Sequence, residues 1–136
     1  MIIVDTNILI AAIIRDSTVR RLLFSDYEFI APYVIMQELE EHESEVKRKS
    51  RLDDDAYDRI RSLIISKIRI ISLPMLFPYV EEAECIMHAI DPDDAMFVAC
   101  ALAYPGSSIW SDDPDLKEQK MVPVLDTKEM KALLSQ

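Results

Sequence analysis

Met1-Ile2-Ile3-Val4-Asp5-Thr6-Asn7-Ile8-Leu9 opens the chain and decides how the rest is read. A short apolar run meets an acid at Asp5, and a second apolar run, Ile8 to Ile14, follows at once. An unbroken apolar strand leading directly into a helix is the opening of a parallel α/β sheet, whose strands are buried on both faces. The strand is read as 1–5 and the helix as 7–14. In such sheets ligands bind outside the carboxyl ends of the strands, so Asp5 already stands where chemistry is expected. The run lacks a basic n-region, so it is not read as a signal peptide.

Working outward, strands and helices alternate. A helix is predicted over 17–25, capped by Ser17 or Thr18, and a strand over 28–31, ending at Pro32. The next helix has Pro32 near its first turn and Val34, Ile35 and Leu39 facing inward. Helix 53–67 carries Asp53 to Asp55 at its positive end. Strand 68–73 is β-branched and is ended by Pro74. Helices over 79–90 and 92–104, strand 108–111, a helical turn at 114–118, strand 122–125 and helix 127–134 complete the chain. About five short strands with helical crossovers predict one domain over 1–136, a three-layer α/β/α fold with a mostly parallel sheet.

Composition excludes more than it assigns. The 136 residues include a single glycine, Gly106. Phosphate-cradling loops need several glycines to let the backbone approach a pyrophosphate, so P-loops and dinucleotide fingerprints are out, as is a GxSxG elbow. His42 and His88 stand in no zinc-binding spacing. Cys85 and Cys100 form no CxxC pair and read as ordinary buried thiols of a reducing, cytoplasmic protein. No stretch reaches the roughly 18 apolar residues of a membrane span.

What remains abundant is carboxylate, 25 Asp and Glu against 15 Lys and Arg, for a net charge of −10. Asp5 ends the first strand, and Asp112 and Asp113 follow the fourth. Asp94 opens a helix, Ala95 to Leu102, that is apolar nearly all round and therefore buried. Glu38 lies about two turns into the helix after the second strand. Each has a plainer reading. Asp5 and Asp113 suit helix caps, Asp91 suits an N-cap before Pro92, and Glu38 suits a solvated face beside Glu40, Glu41 and Glu43. Taken together, acids at two strand ends and one buried helix start are expected to converge on one crevice. Clustered carboxylates raise one another's pKa unless a cation neutralises them, and an all-oxygen set suits Mg²⁺ or Mn²⁺.

Four stretches carry a family likeness: Val4 to Leu9, Glu38-Leu39, Asp94 to Ala101, and Trp110-Ser111-Asp112-Asp113-Pro114-Asp115-Leu116. In this order and spacing the chain resembles the PIN domain, the nuclease fold of many VapC-type toxins and RNA-processing enzymes. The resemblance implies a metal-binding quartet of Asp5, Glu38, Asp94 and Asp113, supported by Asn7 and Ser111. Asp112 departs from the family, which often has Asn or another polar residue there, and leaves open which of Asp112 and Asp113 ligates. Asp91 and Asp93 crowd Asp94 and leave the third ligand open to sharing.

The negative net charge argues against a nonspecific nucleic-acid binder. Its distribution is uneven, however. Eight basic residues between Lys47 and Arg69 face four aspartates, a local net of +4, and Lys47, Arg48, Lys49 and Arg51 are candidates for guiding RNA. A solvated helical hairpin explains them equally well. His42 is read as an exposed helix residue, His88 and Cys85 as packing residues, and Trp110 as core.

The leading expectation is a Mg²⁺- or Mn²⁺-dependent endoribonuclease acting on RNA, and the VapC-type resemblance implies a small antitoxin as its partner. The apolar run Ile8 to Ile14 suggests either a homodimer face or a helix central to the core, and the resemblance to PIN-like proteins, often homodimers, implies a two-fold dimer. A noncatalytic PIN-like interaction module is the alternative. A receiver-type phosphoacceptor falls far behind, because the third strand ends in Leu73-Pro74 with no acid.

Overall fold

The computed structural model describes residues 1–135. In chain order the elements are β1 (Ile2–Val4), α1 (Thr6–Ile14), α2 (Thr18–Leu23), β2 (Phe29–Pro32), α3 (Val34–Glu41), α4 (Glu43–Ser50), α5 (Asp54–Ile65), β3 (Ile68–Ile71) and α6 (Leu73–Met87). A 3₁₀ turn (Pro92–Asp94), α7 (Ala95–Ala103), β4 (Ser108–Trp110), a second 3₁₀ turn (Pro114–Glu118), β5 (Val124–Leu125) and α8 (Thr127–Leu134) follow.

All strand pairings are parallel, and the sheet order is β3-β2-β1-β4-β5. The chain thus builds outward from β1 on one side, then crosses back to place β4 on the other. The strand order reverses between β1 and β4, and the crevice outside their carboxyl ends is the switch point where such sheets bind ligands. β1 and β2 are buried throughout, as strands covered by helices on both faces must be. Edge strand β3 instead turns Arg69 outward, a charge of the kind that blunts edge-to-edge association.

Helix α7 lies across β1, β2 and β4 and packs on α6, while α1 gathers α2, α3, α4 and α5 around itself. The expected three-layer α/β/α arrangement follows. Ile8, Leu9, Ala12 and Ile13 of α1 are buried, with Ile10 and Ile14 partly covered. The apolar run of α1 is therefore core, and it offers no bare face for a second copy. Trp110 is fully buried, its indole N–H donating to Thr127 Oγ1 at 3.1 Å.

Most element ends fall within a few residues of the sequence reading. Three expectations need correction. The helix read as 79–90 begins at Leu73 and ends at Met87, because Pro74 occupies its first turn, where a missing N–H costs nothing, and Pro78 is accommodated inside it. Leu76, Ala83 and Met87 anchor that helix in the core, and burial outweighs proline's poor propensity. The helix after β2 begins at Val34, with Pro32 still in the strand, and breaks at His42 into α3 and α4. Finally, Cys85 and His88 are exposed on and just after α6, while Cys100 alone of the two cysteines is buried. Among the described residues no helix is long and apolar enough to cross a membrane.

Candidate metal centre

Two copies of the same local device build the centre. Asp91-Pro92-Asp93 and Asp113-Pro114-Asp115 each start a 3₁₀ turn with an aspartate cap and a proline in the first position. Asp91 Oδ1 accepts from the Asp93 amide at 3.1 Å, and Asp113 Oδ1 accepts from the Asp115 amide at 2.9 Å. Each cap thereby fixes its own carboxylate while committing one oxygen to the backbone. The plain capping reading and the functional one are compatible.

Residues three apart eclipse in a 3₁₀ helix, so Asp91 and Asp94 come onto one side of the first turn. Each of Asp91, Asp94 and Asp113 offers a carboxylate oxygen, and these atoms lie within 4.8 Å of one another. Asp94 Oδ2 is buried and has no hydrogen-bond partner. Burial, and then the charges of Asp5, Asp91, Asp113 and Glu38, push the Asp94 carboxyl up to about 7.

Asp5 lies beside this trio and outside it. Its amide donates to the Trp110 carbonyl at 3.1 Å, and its carbonyl accepts from Ile8 at 3.0 Å to start α1. Its side chain makes no cap bond. Instead Oδ2 accepts a 2.6 Å hydrogen bond from Ser111 Oγ, and that same oxygen of Ser111 accepts from the Asp113 amide at 3.1 Å. Burial raises the Asp5 pKa; the Ser111 hydrogen bond opposes the rise and the Asp113 charge adds to it.

Glu38 enters from α3. Its pKa is raised by burial first, and also by the charges of Asp5 and Glu41. The nearby Thr6 hydroxyl opposes that rise without reaching a full hydrogen bond, and Thr6 Oγ1 is itself buried and unpartnered. Glu38, Asp94, Asp93, Glu41 and His42 line a cleft of about 450 Å³. Asn7 is exposed at the start of α1.

Asp112 faces elsewhere. Its two oxygens accept from the Thr127 amide and the Thr127 hydroxyl, each at 2.7 Å, so it holds the start of α8. Lys47 bridges to Asp54 at 3.0 Å and Lys49 to Glu45 at 2.8 Å, whereas Arg48 and Arg51 form no ion pair among the described residues. None of these four lines the acidic cleft. The sequence places His42 as an exposed helix residue. It is exposed, but its ring nitrogen Nδ1 lies 2.8 Å from the Glu38 carbonyl, and it walls the cleft. The repeated Asp-Pro-Asp was the sequence signal that would have raised Asp91 to the rank of Asp113.

The donor set of Asp91, Asp94 and Asp113 is oxygen throughout, and its buried oxygen, Asp94 Oδ2, lacks a partner. A hard divalent cation fits such a set and would relieve the repulsion that raises Asp94. The model of the PIN domain matches residues 3–135. The chain belongs to the PIN domain family. Among solved structures, this PIN domain is similar to VapBC2 from Rickettsia felis, a structure bound to a DNA fragment from their promoter. The TM-score is 0.70 at 18% identity, over 93% of this chain and 98% of the other. It is also similar to PAE2754 from Pyrobaculum aerophilum, with a TM-score of 0.68 at 16% identity over 99% and 90% of the two chains. At such identities the likeness concerns the PIN fold. Among curated proteins none matches.

Proposed function

We propose that this PIN domain is a Mg²⁺- or Mn²⁺-dependent endoribonuclease. The observation that carries the reading is the meeting of Asp91, Asp94 and Asp113 beside Asp5, with an unpartnered oxygen on Asp94. In this reading Asp91, Asp94 and Asp113 would hold the ion, and Asp5, tied to the Asp113 amide through Ser111, would support them. A bound divalent ion supplies charge to the scissile phosphate and lowers the pKa of an attacking water. Glu38, which lines the cleft beside Asp94, would serve as the general base toward the attacking water. Ser111 holds the Asp5 carboxylate in one orientation through its 2.6 Å bond. Arg48 and Arg51, which form no ion pair among the described residues, lead the RNA backbone toward the cleft against the overall negative charge.

The test is cleavage of a labelled RNA with Mg²⁺ or Mn²⁺ by wild type and Asp94→Asn. Loss of at least about a hundredfold in the variant supports the reading. Equal cleavage, or none by the wild type with either metal, overturns it.

We further propose that the chain is the toxin of a pair with a small antitoxin, on the strength of its likeness to the VapC-type fold and the VapBC2 structure. Co-expression with the adjacent reading frame and co-purification test this. A homodimer is also proposed from the family. Its surface cannot be α1, which is core; Leu73, Met75 and Phe77 at the start of α6 form one exposed apolar group, and Phe24, Leu63 and Met121 are exposed elsewhere. Sedimentation giving about twice the 15.7 kDa chain mass supports it, and the single mass overturns it.

A further inference from the structure

Beside the acidic cleft lies a second hollow of about 240 Å³, walled by Asn7, Ile10, His42, Glu45, Val46 and Lys49. Its position is set by the break between α3 and α4. His42 stands at that break and lines both the hollow and the cleft that holds Glu38 and Asp94. Asn7, two residues beyond Asp5, forms part of the opposite wall. A molecule anchored in the cleft therefore needs only to pass His42 to enter the hollow.

The chemistry of the walls selects what fits. Val46 is buried and Ile10 half-buried, giving an apolar surface. Glu45 and Lys49 face each other at 2.8 Å, and Lys49 holds the Glu45 carboxyl below its ordinary range. Their charges cancel as a pair, so the hollow does not call for a phosphate. The pair still leaves spare ammonium hydrogens and carboxylate lone pairs side by side, and Asn7 adds an amide. If the His42 Nδ1 proton is given to the Glu38 carbonyl, which can only accept, Nε2 stays open as an acceptor in the neutral ring. The hollow is smaller than the roughly 300–1,000 Å³ pockets that take drug-sized ligands. A flat, neutral ring with donors and acceptors along one edge meets every one of these conditions.

We propose that this hollow is a nucleobase subsite, in which Ile10 and Val46 contact the ring face and the Glu45–Lys49 pair reads its edge. The inference rests on the nuclease reading, because the base belongs to the RNA whose phosphate lies in the cleft. It makes Glu45 and Lys49 specificity-determining residues and gives the helix break at His42 a purpose, which is to open a second compartment next to the first.

The experiment is amide NMR of the full chain with Mg²⁺, titrated with the four nucleoside 5′-monophosphates and with ribose 5-phosphate, which lacks the base. At least one nucleotide is expected to bind about tenfold or more tightly than ribose 5-phosphate, with shifts at Ile10, Val46 and Lys49. In Lys49→Met and Glu45→Gln that advantage is expected to shrink to about threefold or less. Both side chains are about half exposed, at 50% and 49%, so neither variant threatens folding. Ribose 5-phosphate binding as tightly as all four nucleotides overturns the subsite, leaves the metal centre standing and opens the hollow to a side chain of a partner protein. Shifts confined to regions outside the hollow overturn it equally. If Mg²⁺ alone moves no amide near Asp94 or Asp113, yet a nucleoside 5′-monophosphate shifts Ile10 and Val46 where ribose 5-phosphate does not, the nuclease reading fails and the subsite stands.

Discussion

The hydroxyl of Ser111 donates a 2.6 Å hydrogen bond to Oδ2 of Asp5, joining residues 106 apart in sequence at the ends of β4 and β1. Those two strands are neighbours in the sheet at the point where its order reverses. The bond therefore fastens the floor of the acidic centre, and the same Ser111 oxygen positions the Asp113 amide. One small side chain thus couples two of the clustered acids.

Ser111→Ala is expected to destabilise the fold by about 1–3 kcal/mol, because a buried carboxylate loses its donor. The Asp5 pKa should rise further, since the opposing hydrogen bond is gone. Urea unfolding at neutral pH checks the first effect. An unchanged midpoint would show that water replaces the hydroxyl at no cost.

Asp94→Asn is expected to stabilise the metal-free protein by on the order of 1 kcal/mol, since it removes a charge repelled by four other acids. In the same variant the stabilisation by Mn²⁺ should largely vanish, because a ligand that binds the native state stabilises it only as far as it binds. Thermal unfolding with and without Mn²⁺ measures both. Equal metal responses in wild type and variant would contradict the placement of Asp94 at the ion.

The pH dependence has a definite sign. Asp94 titrates at about 7 in the folded protein against an ordinary 3.8, so between these values the native state holds a proton that the unfolded chain has lost. Stability of the metal-free protein must then fall as pH rises from about 4 to 7, by on the order of 1–2 kcal/mol once solvent screening is allowed for. Asp5 and Glu38 are raised as well and act in the same direction. Because bound metal favours the ionised carboxylates, the metal-induced rise in Tm should grow over the same pH range. A metal response that shrinks toward pH 7 would refute this.

Asp112→Ala is expected to behave differently from its neighbour. Both Asp112 oxygens are spent on Thr127 at the start of α8. The variant should lose about 1 kcal/mol or more of stability yet keep the Mn²⁺ response. Asp113→Ala should lose most of that response. Thermal titration of the pair separates an anchoring aspartate from one in the metal cluster.

Much of this was legible in the chain itself. Ile2-Ile3-Val4 could only be a buried strand, the apolar run from Ala95 to Ala101 could only be a buried helix, and their order named a parallel α/β sheet before any contact was known. Those patterns are local, since burial periodicity is written along each segment. Asp5, Asp94 and Asp113 could be placed near one crevice for the same reason, as each sits at the end of a recognisable element. The role of Asp112 was not legible, and that of Asp91 was legible only in part, through the repeated Asp-Pro-Asp. Adjacent aspartates have the same chemistry, and only packing turned Asp112 toward Thr127 and left Asp113 beside Asp91 and Asp94. The start of α6 at Leu73 and the break at His42 were hidden too. In the first case tertiary burial of Leu76 and Ala83 overrode the local signal of two prolines, and in the second no proline or glycine between Glu38 and Val46 marks the break at His42. Propensity and pattern settle which segments are strands and helices. Which oxygen atoms end within reach of one cation is decided by long-range packing, because it depends on pairs such as Ser111 and Asp5 that sequence proximity cannot reveal.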